Sequence, residues 1–246
     1  MDHVFLVPPG PGDPDLSEAL AQVRRTLGAW APEVVAVAST AWRPFHFTVA
    51  SRPGQWADVA LVAQTAHAAR ARDLFVGTES RDVDPGAAAA LAALFPVRFP
   101  EVVLLGVARQ SPERAALMGE AVAAALRATG RRSALIGVGR LSTTGSDESG
   151  RCFDEGLLAS LEARQADQLT SSDPEIWIEG RPDAELGHLF LLLGASGAFS
   201  RGETLGYSRR NGFGQAVVRF DGSPPKGDPV PPAERRIIAL KDVGHD

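Results

Sequence analysis

Short apolar runs alternate with helix-length stretches carrying an apolar stripe, and this alternation sets the expected architecture. Val4-Phe-Leu-Val7 is the first apolar run. It ends in Pro8-Pro-Gly-Pro-Gly-Asp-Pro14, which can continue neither a strand nor a helix. Asp15, three residues before Glu18, reads as a capping-box-like helix start. Leu16, Leu20, Val23, Leu27 and Trp30 then share one helical stripe. Glu33-Val-Val-Ala-Val-Ala-Ser39 is apolar throughout, as a strand covered on both faces must be. Phe45-His-Phe-Thr-Val-Ala50 alternates instead, which predicts a strand with one polar face. The alanine-rich stretches 57–73 and 87–95 have helical spacing.

Glu101–Ala108 and Ser133–Val138 repeat the buried-strand pattern. Between them, Ser111-Pro112 supplies an N-cap with proline at the first helical position, and Gly130 supplies the stop. Helices are predicted near 153–166 and 183–195, and Glu203–Tyr207 with Gln215–Phe220 reads as a hairpin. The expected fold is therefore α/β: a single layered domain over residues 1–220. Its central, mostly buried mixed sheet carries helices on both faces and closes in the C-terminal hairpin. Residues 221–246 read as a Pro/Gly-rich extended tail in which only Arg236-Ile-Ile-Ala-Leu240 has strand character. No internal repeat or coiled-coil heptad occurs.

With 246 residues, 44% of them hydrophobic, the chain has material for a sizeable core. A net charge of −5 argues against a nucleic-acid or anionic-membrane surface, since phosphate binding needs concentrated positive charge. Only Lys226 and Lys241 among the 25 basic residues are lysines, an arginine bias read as compositional. The lone Cys152 excludes an intramolecular disulfide and fits a reducing, cytoplasmic setting. Neither a secretory leader nor a run of about 18 apolar residues is present.

Three segments follow one another in a telling order. Arg132-Ser-Ala-Leu-Ile-Gly-Val-Gly-Arg-Leu-Ser-Thr-Thr144 is a strand breaking into a glycine-containing loop, and Phe153-Asp-Glu-Gly-Leu-Leu-Ala-Ser-Leu161 is an acidic helix. Ala184-Glu-Leu-Gly-His-Leu-Phe-Leu-Leu-Leu-Gly-Ala195 comes last. The order resembles the C-terminal half of the class III extradiol ring-cleaving dioxygenases, and a similar order of elements extends over roughly residues 4–220. In that family the loop ends Gly-Gly-Leu-Ser-His, and its histidine handles the substrate proton; here the position is Thr143.

The family's iron-binding histidines are also missing. The turn after the first strand is Leu6-Val-Pro-Pro-Gly10, the segment after the second is Val37-Ala-Ser-Thr-Ala-Trp-Arg43, and Asp82-Val-Asp-Pro-Gly86 has Pro85 in place of histidine. Of the iron ligands only the acidic one has a counterpart, Glu185. A mononuclear Fe(II) centre needs two histidines and a carboxylate, so one carboxylate cannot hold it.

The resemblance is most specific to the non-catalytic α subunits of the 2-aminophenol 1,6-dioxygenases. It is carried by Phe5-Leu-Val-Pro8, Val37–Trp42, Ala134–Ser142, His188–Ala195, Gly206-Tyr207 and Gly212–Phe220. It implies a metal-free pseudoenzyme, an oxidoreductase subunit in aromatic-compound catabolism. Its partner would be an iron-bearing homologue or a second copy, the Fe(II) would sit on the catalytic partner, and the substrate would be catechol- or aminophenol-like.

The residues also support a different reading, an iron-independent lyase, isomerase or hydrolase that reuses the ancestral pocket for a small acidic aromatic. Its catalytic candidates are His188, Glu185 and Arg140. Glu185 and His188 stand three apart and so share a helix face. Such a pair forms a carboxylate-bridged metal site only with a second copy, which the chain lacks. Trp42, His46, Ser142 and Thr143 are the substrate-binding candidates, because they follow buried strands where open α/β sheets place ligands. Arg140 suits either an anion or a plug for the vestigial site. His3, His67 and His245 are read as non-functional, and no metal site is expected on this chain. Gly137-Val-Gly139 lacks the third glycine of a dinucleotide fingerprint, and Ser142-Thr143-Thr144 lacks a nucleophile elbow.

Overall fold

The computed structural model describes residues 3–10, 13–39, 47–51, 59–80, 82–107, 110–143, 147–165, 169, 182, 186–197 and 200–221. In chain order these form β1 (Val4–Val7), a 3-10 turn (Pro14–Leu16), α1 (Ser17–Trp30), β2 (Val34–Ser39), β3 (Phe47–Ser51), α2 (Val59–Arg70), β4 (Val76–Ser80) and α3 (Pro85–Leu94). There follow β5 (Glu101–Gly106), α4 (Pro112–Ala128), β6 (Ser133–Val138), β7 (Ser142–Thr143), α5 (Asp147–Glu162), α6 (Gly187–Ser196), β8 (Arg201–Arg210) and β9 (Phe213–Asp221).

All nine strands join one mixed sheet in the order β4-β3-β5-β2-β6-β1-β9-β7, with β8 on the other side of β9. The central strands β5, β2, β6 and β1 are mutually parallel. On one flank β3 runs antiparallel to β5 and parallel to β4; on the other, β9 runs antiparallel to β1, β7 and β8.

The sheet is covered on both sides, and the strands sort their side chains between the two cores with a period of two. Leu6, Ala36, Leu105, Leu135 and Val218 face the core built with α2, α4, α5 and α6. Phe5, Val35, Leu104, Ile136 and Val217 face the core built with α1 and α3. This two-sided burial is why the central strands read as unbroken apolar runs.

α4 and α6 approach until their backbones touch, at two glycines. A methyl group on Gly119 would fall 1.9 Å from the Leu191 carbonyl oxygen, and one on Gly194 would fall 1.9 Å from the Ala116 carbonyl oxygen.

Three local expectations need correction, and one strand, β4, was missed. Asp13, not Asp15, caps the first helical segment: its side chain accepts the Asp15 N–H at 3.0 Å and holds the 3-10 turn that leads into α1. β3 has no polar face, since Thr48 is buried along with Phe47, Val49 and Ala50; lying between β4 and β5, the strand is covered on both sides. β4, with Gly77, Thr78 and Glu79 in a five-residue edge strand, has no apolar signature that sequence reading would detect. α5 starts at Asp147 rather than 153, because its first turn, Asp147-Glu148-Ser149, suits a helix N-terminus but lies outside the apolar stripe. The tail after Asp221 lies outside the described residues.

Candidate functional site

β1, β2, β5 and β6 all end at the same edge of the sheet, the edge at which open α/β sheets bind ligands. Arg140, Ser142 and Thr143 leave β6 there. Instead of forming an open loop, this segment is drawn onto β9. The Gly139 N–H donates to the Val7 carbonyl at 3.1 Å and the Leu141 N–H to the Gly214 carbonyl at 2.8 Å. Ser142 then pairs with Gly214 and Thr143 with Phe213 as strand β7. Arg140 lies over the Phe213 ring, its guanidinium carbon 3.9 Å from the ring centre. That is stacking distance for a cation on an aromatic face.

Beneath this strand is a buried polar cluster. The Arg209 guanidinium, 3% exposed, donates from Nη1 to Ser142 Oγ at 2.9 Å and to Asp154 Oδ2 at 2.9 Å. Tyr207 Oη donates to the same Asp154 oxygen at 2.9 Å. Tyr207 and Arg209 project from one face of β8 because they are two residues apart. Asp154 comes from α5, and its side chain is fully buried. Gly214 makes room for it: a methyl group there would fall 1.9 Å from Asp154 Oδ2.

The electrostatics follow from burial. Desolvation pushes the Asp154 carboxyl above its ordinary range, against the opposing hydrogen bonds of Ser142, Tyr207 and Arg209 and the Arg209 charge. Its second oxygen, Oδ1, is buried with no hydrogen-bond partner among the described residues. The Tyr207 phenol is likewise pushed up, first by burial and then by the charge and hydrogen bond of Asp154. It therefore stays a neutral donor to Asp154 at physiological pH. A general acid or base must come within hydrogen-bond reach of its substrate. With Asp154 and Arg209 enclosed, the cluster's chemistry is that of a polar staple joining α5, β7, β8 and β9.

The predicted site residues fare unequally. Ser142 belongs to this staple and is fully buried, Thr143 flanks it, and Arg140 covers Phe213. His188 is fully buried in the first turn of α6. Trp42, His46 and Glu185 lie outside the described residues. Among the described residues no three His, Cys, Asp or Glu side chains converge as a metal site.

Asp154, Tyr207 and Arg209 were missed by sequence reading. One signal was available: Asp154 stands on the helical stripe of Leu157, Leu158 and Leu161, all buried. An acid placed on an apolar stripe calls for a buried partner.

No protein-family model matches the chain, and no curated protein matches it in sequence. In structure it is similar to the crystal structure of an uncharacterized protein, JW3007, from Escherichia coli K12. The TM-score is 0.72 at 15% identity, over 89% of this chain and 99% of that one, a likeness that shows the fold. Among the described residues no helix is long and apolar enough to cross a membrane.

Proposed function

We propose that this chain is a non-catalytic, metal-ligand-deficient subunit of an extradiol-type aromatic-ring-cleaving dioxygenase assembly. Its partner is an iron-bearing homologue or a second copy, and the substrate of the assembly is catechol- or aminophenol-like. The observation that carries this reading is the fate of the segment after β6. Where the resembled family presents a histidine to substrate, Ser142 and Thr143 are paired to Gly214 and Phe213. The Ser142 side chain is spent on Arg209 inside a closed cluster. A second position agrees. Pro85, which stands where that family has a histidine, is the first residue of α3, and the preceding Asp84 caps the helix by accepting the Ala87 N–H at 3.0 Å. Both positions serve packing and capping. Subunit contacts depend on packing rather than on a metal, so a chain of this kind persists as part of an assembly.

The test is anaerobic reconstitution of the purified chain with Fe(II), followed by metal analysis and light scattering on the same sample. The expected result is iron far below one equivalent. The measured mass then distinguishes a monomer awaiting its partner from a homo-oligomer. Stoichiometric iron would overturn the reading.

A further inference from the structure

At the opposite edge of the sheet, where β2, β5 and β6 begin, the C-terminal ends of α1 and α3 leave a groove of about 620 Å³. The segment from Phe95 to Pro100 lines it. Val97 is 95% exposed and Phe99 39% exposed, and the pair lies between Pro96 and Pro100. These two side chains leave apolar surface in water.

The rim is basic, although the whole chain has a net charge of −5. It carries Arg24, Arg98, Arg131 and Arg132 against Glu33 and Glu101. Two of the arginines have structural work. Arg131 pairs with Glu101 at 2.9 Å, and Arg132 donates to the Ala31 carbonyl at the end of α1 at 3.0 Å while lying 4.0 Å from Glu33. They answer both glutamates and the carbonyl end of the helix. Arg24 and Arg98 carry no ion pair among the described residues, so the surplus positive charge sits beside the exposed Val97 and Phe99.

We infer that this groove is a docking surface for an acidic, apolar-anchored segment of another polypeptide, with partner carboxylates meeting Arg24 and Arg98 and apolar side chains covering Val97 and Phe99. The near-complete exposure of Val97 favours a polypeptide over a small molecule. A ligand confined to the groove leaves a protruding side chain wet, whereas a partner surface closes over it. The charge pattern favours an acidic partner, because like charges across an interface are costly and opposite charges speed encounter. The surface stands independently of the dioxygenase reading, since nothing in it requires the partner to hold iron.

The test uses the full chain and two labelled synthetic peptides in which leucine and phenylalanine alternate with either glutamate or lysine, read by fluorescence anisotropy. Saturable binding of the acidic peptide is expected, weakening as salt rises from about 50 to about 500 mM. A loss of about tenfold is expected in the Arg24→Glu/Arg98→Glu double variant and, separately, in Val97→Ser/Phe99→Ser. All four side chains lie at the surface, and circular dichroism of each variant checks that its fold is retained. The basic peptide is expected not to bind. Absence of saturable binding, equal binding of the two peptides, or binding indifferent to both variants would each overturn the proposal.

Discussion

Gly214 on β9 and Asp154 on α5 are sterically matched: the space a Cβ needs at position 214 is occupied by the Asp154 carboxylate, 1.9 Å away. The strand therefore accepts the acid only because it carries no side chain there. Gly214→Ala is expected to expel Asp154 from its bonds to Tyr207 and Arg209 and to destabilise the fold by about 3–5 kcal/mol, the usual effect of breaking one side of a buried ion pair. Urea denaturation of Gly214→Ala, Asp154→Ala and the double variant checks this. The double variant should be less destabilised than the sum of the two single ones, because the truncated aspartate no longer meets the new methyl group.

The Asp154–Arg209 pair gives a second expectation. Arg209→Met alone should cost about 3–5 kcal/mol, since it leaves a buried carboxylate without its cation. Asp154→Leu with Arg209→Met removes both charges, and its unfolding midpoint should lie closer to that of the unchanged chain than that of either single variant. If the double variant were the worst of the three, the staple would be contributing net stability through its ionic character.

Stability should depend on pH with a definite sign. The folded-state pKa of Asp154 lies above its unfolded value of 3.8, so the folded chain holds this proton more tightly. The group's contribution is fully present below about pH 3.8 and is lost as pH rises through the folded pKa. Comparison with Asp154→Asn isolates the group. Whatever advantage the unchanged chain has near pH 3.5, it should shrink as pH rises across that window, as read by thermal or urea unfolding of the two proteins side by side. A widening advantage would mean that Arg209 outweighs burial.

At the α4–α6 crossing two effects oppose each other. Replacing a helical glycine by alanine favours the helix by about 1 kcal/mol. At Gly119, however, the new methyl group would fall 1.9 Å from a backbone carbonyl that no side-chain rotation can move. Overpacking of this kind costs about 3 kcal/mol, so Gly119→Ala should destabilise the fold despite its better propensity. Gly28, near the end of α1, has nothing within 4 Å of its Cβ position, and Gly28→Ala provides the control that should be neutral or slightly stabilising.

Those glycines mark the limit of what sequence reading can reach. The central strands and most helices were legible, because two-sided burial writes unbroken apolar runs and one-sided burial writes a stripe. β4 and β7 were not: a five-residue edge strand and a two-residue pairing bury too little to leave a pattern. The site was legible in part. Arg140, Ser142 and Thr143 stand after β6 as its position in the order predicts. Their partners on β8 and β9 come from more than 60 residues away, and only the sheet brings them together. Asp154 was the missed opportunity, since its place on an apolar stripe was visible in the sequence.

β9 takes hydrogen bonds from three strands at once, and one of them is the first of the described strands: Val4 pairs with Phe220. During synthesis, then, β1 emerges well before β9, and its flank stays bare until almost the whole described fold has left the ribosome. A nascent chain halted before residue 213 presents β1 as a raw, wholly apolar sheet edge, able to pair with any other extended chain it meets. The last strand of the sheet is thus also the cover for the first, and until it arrives that edge is open to intermolecular pairing.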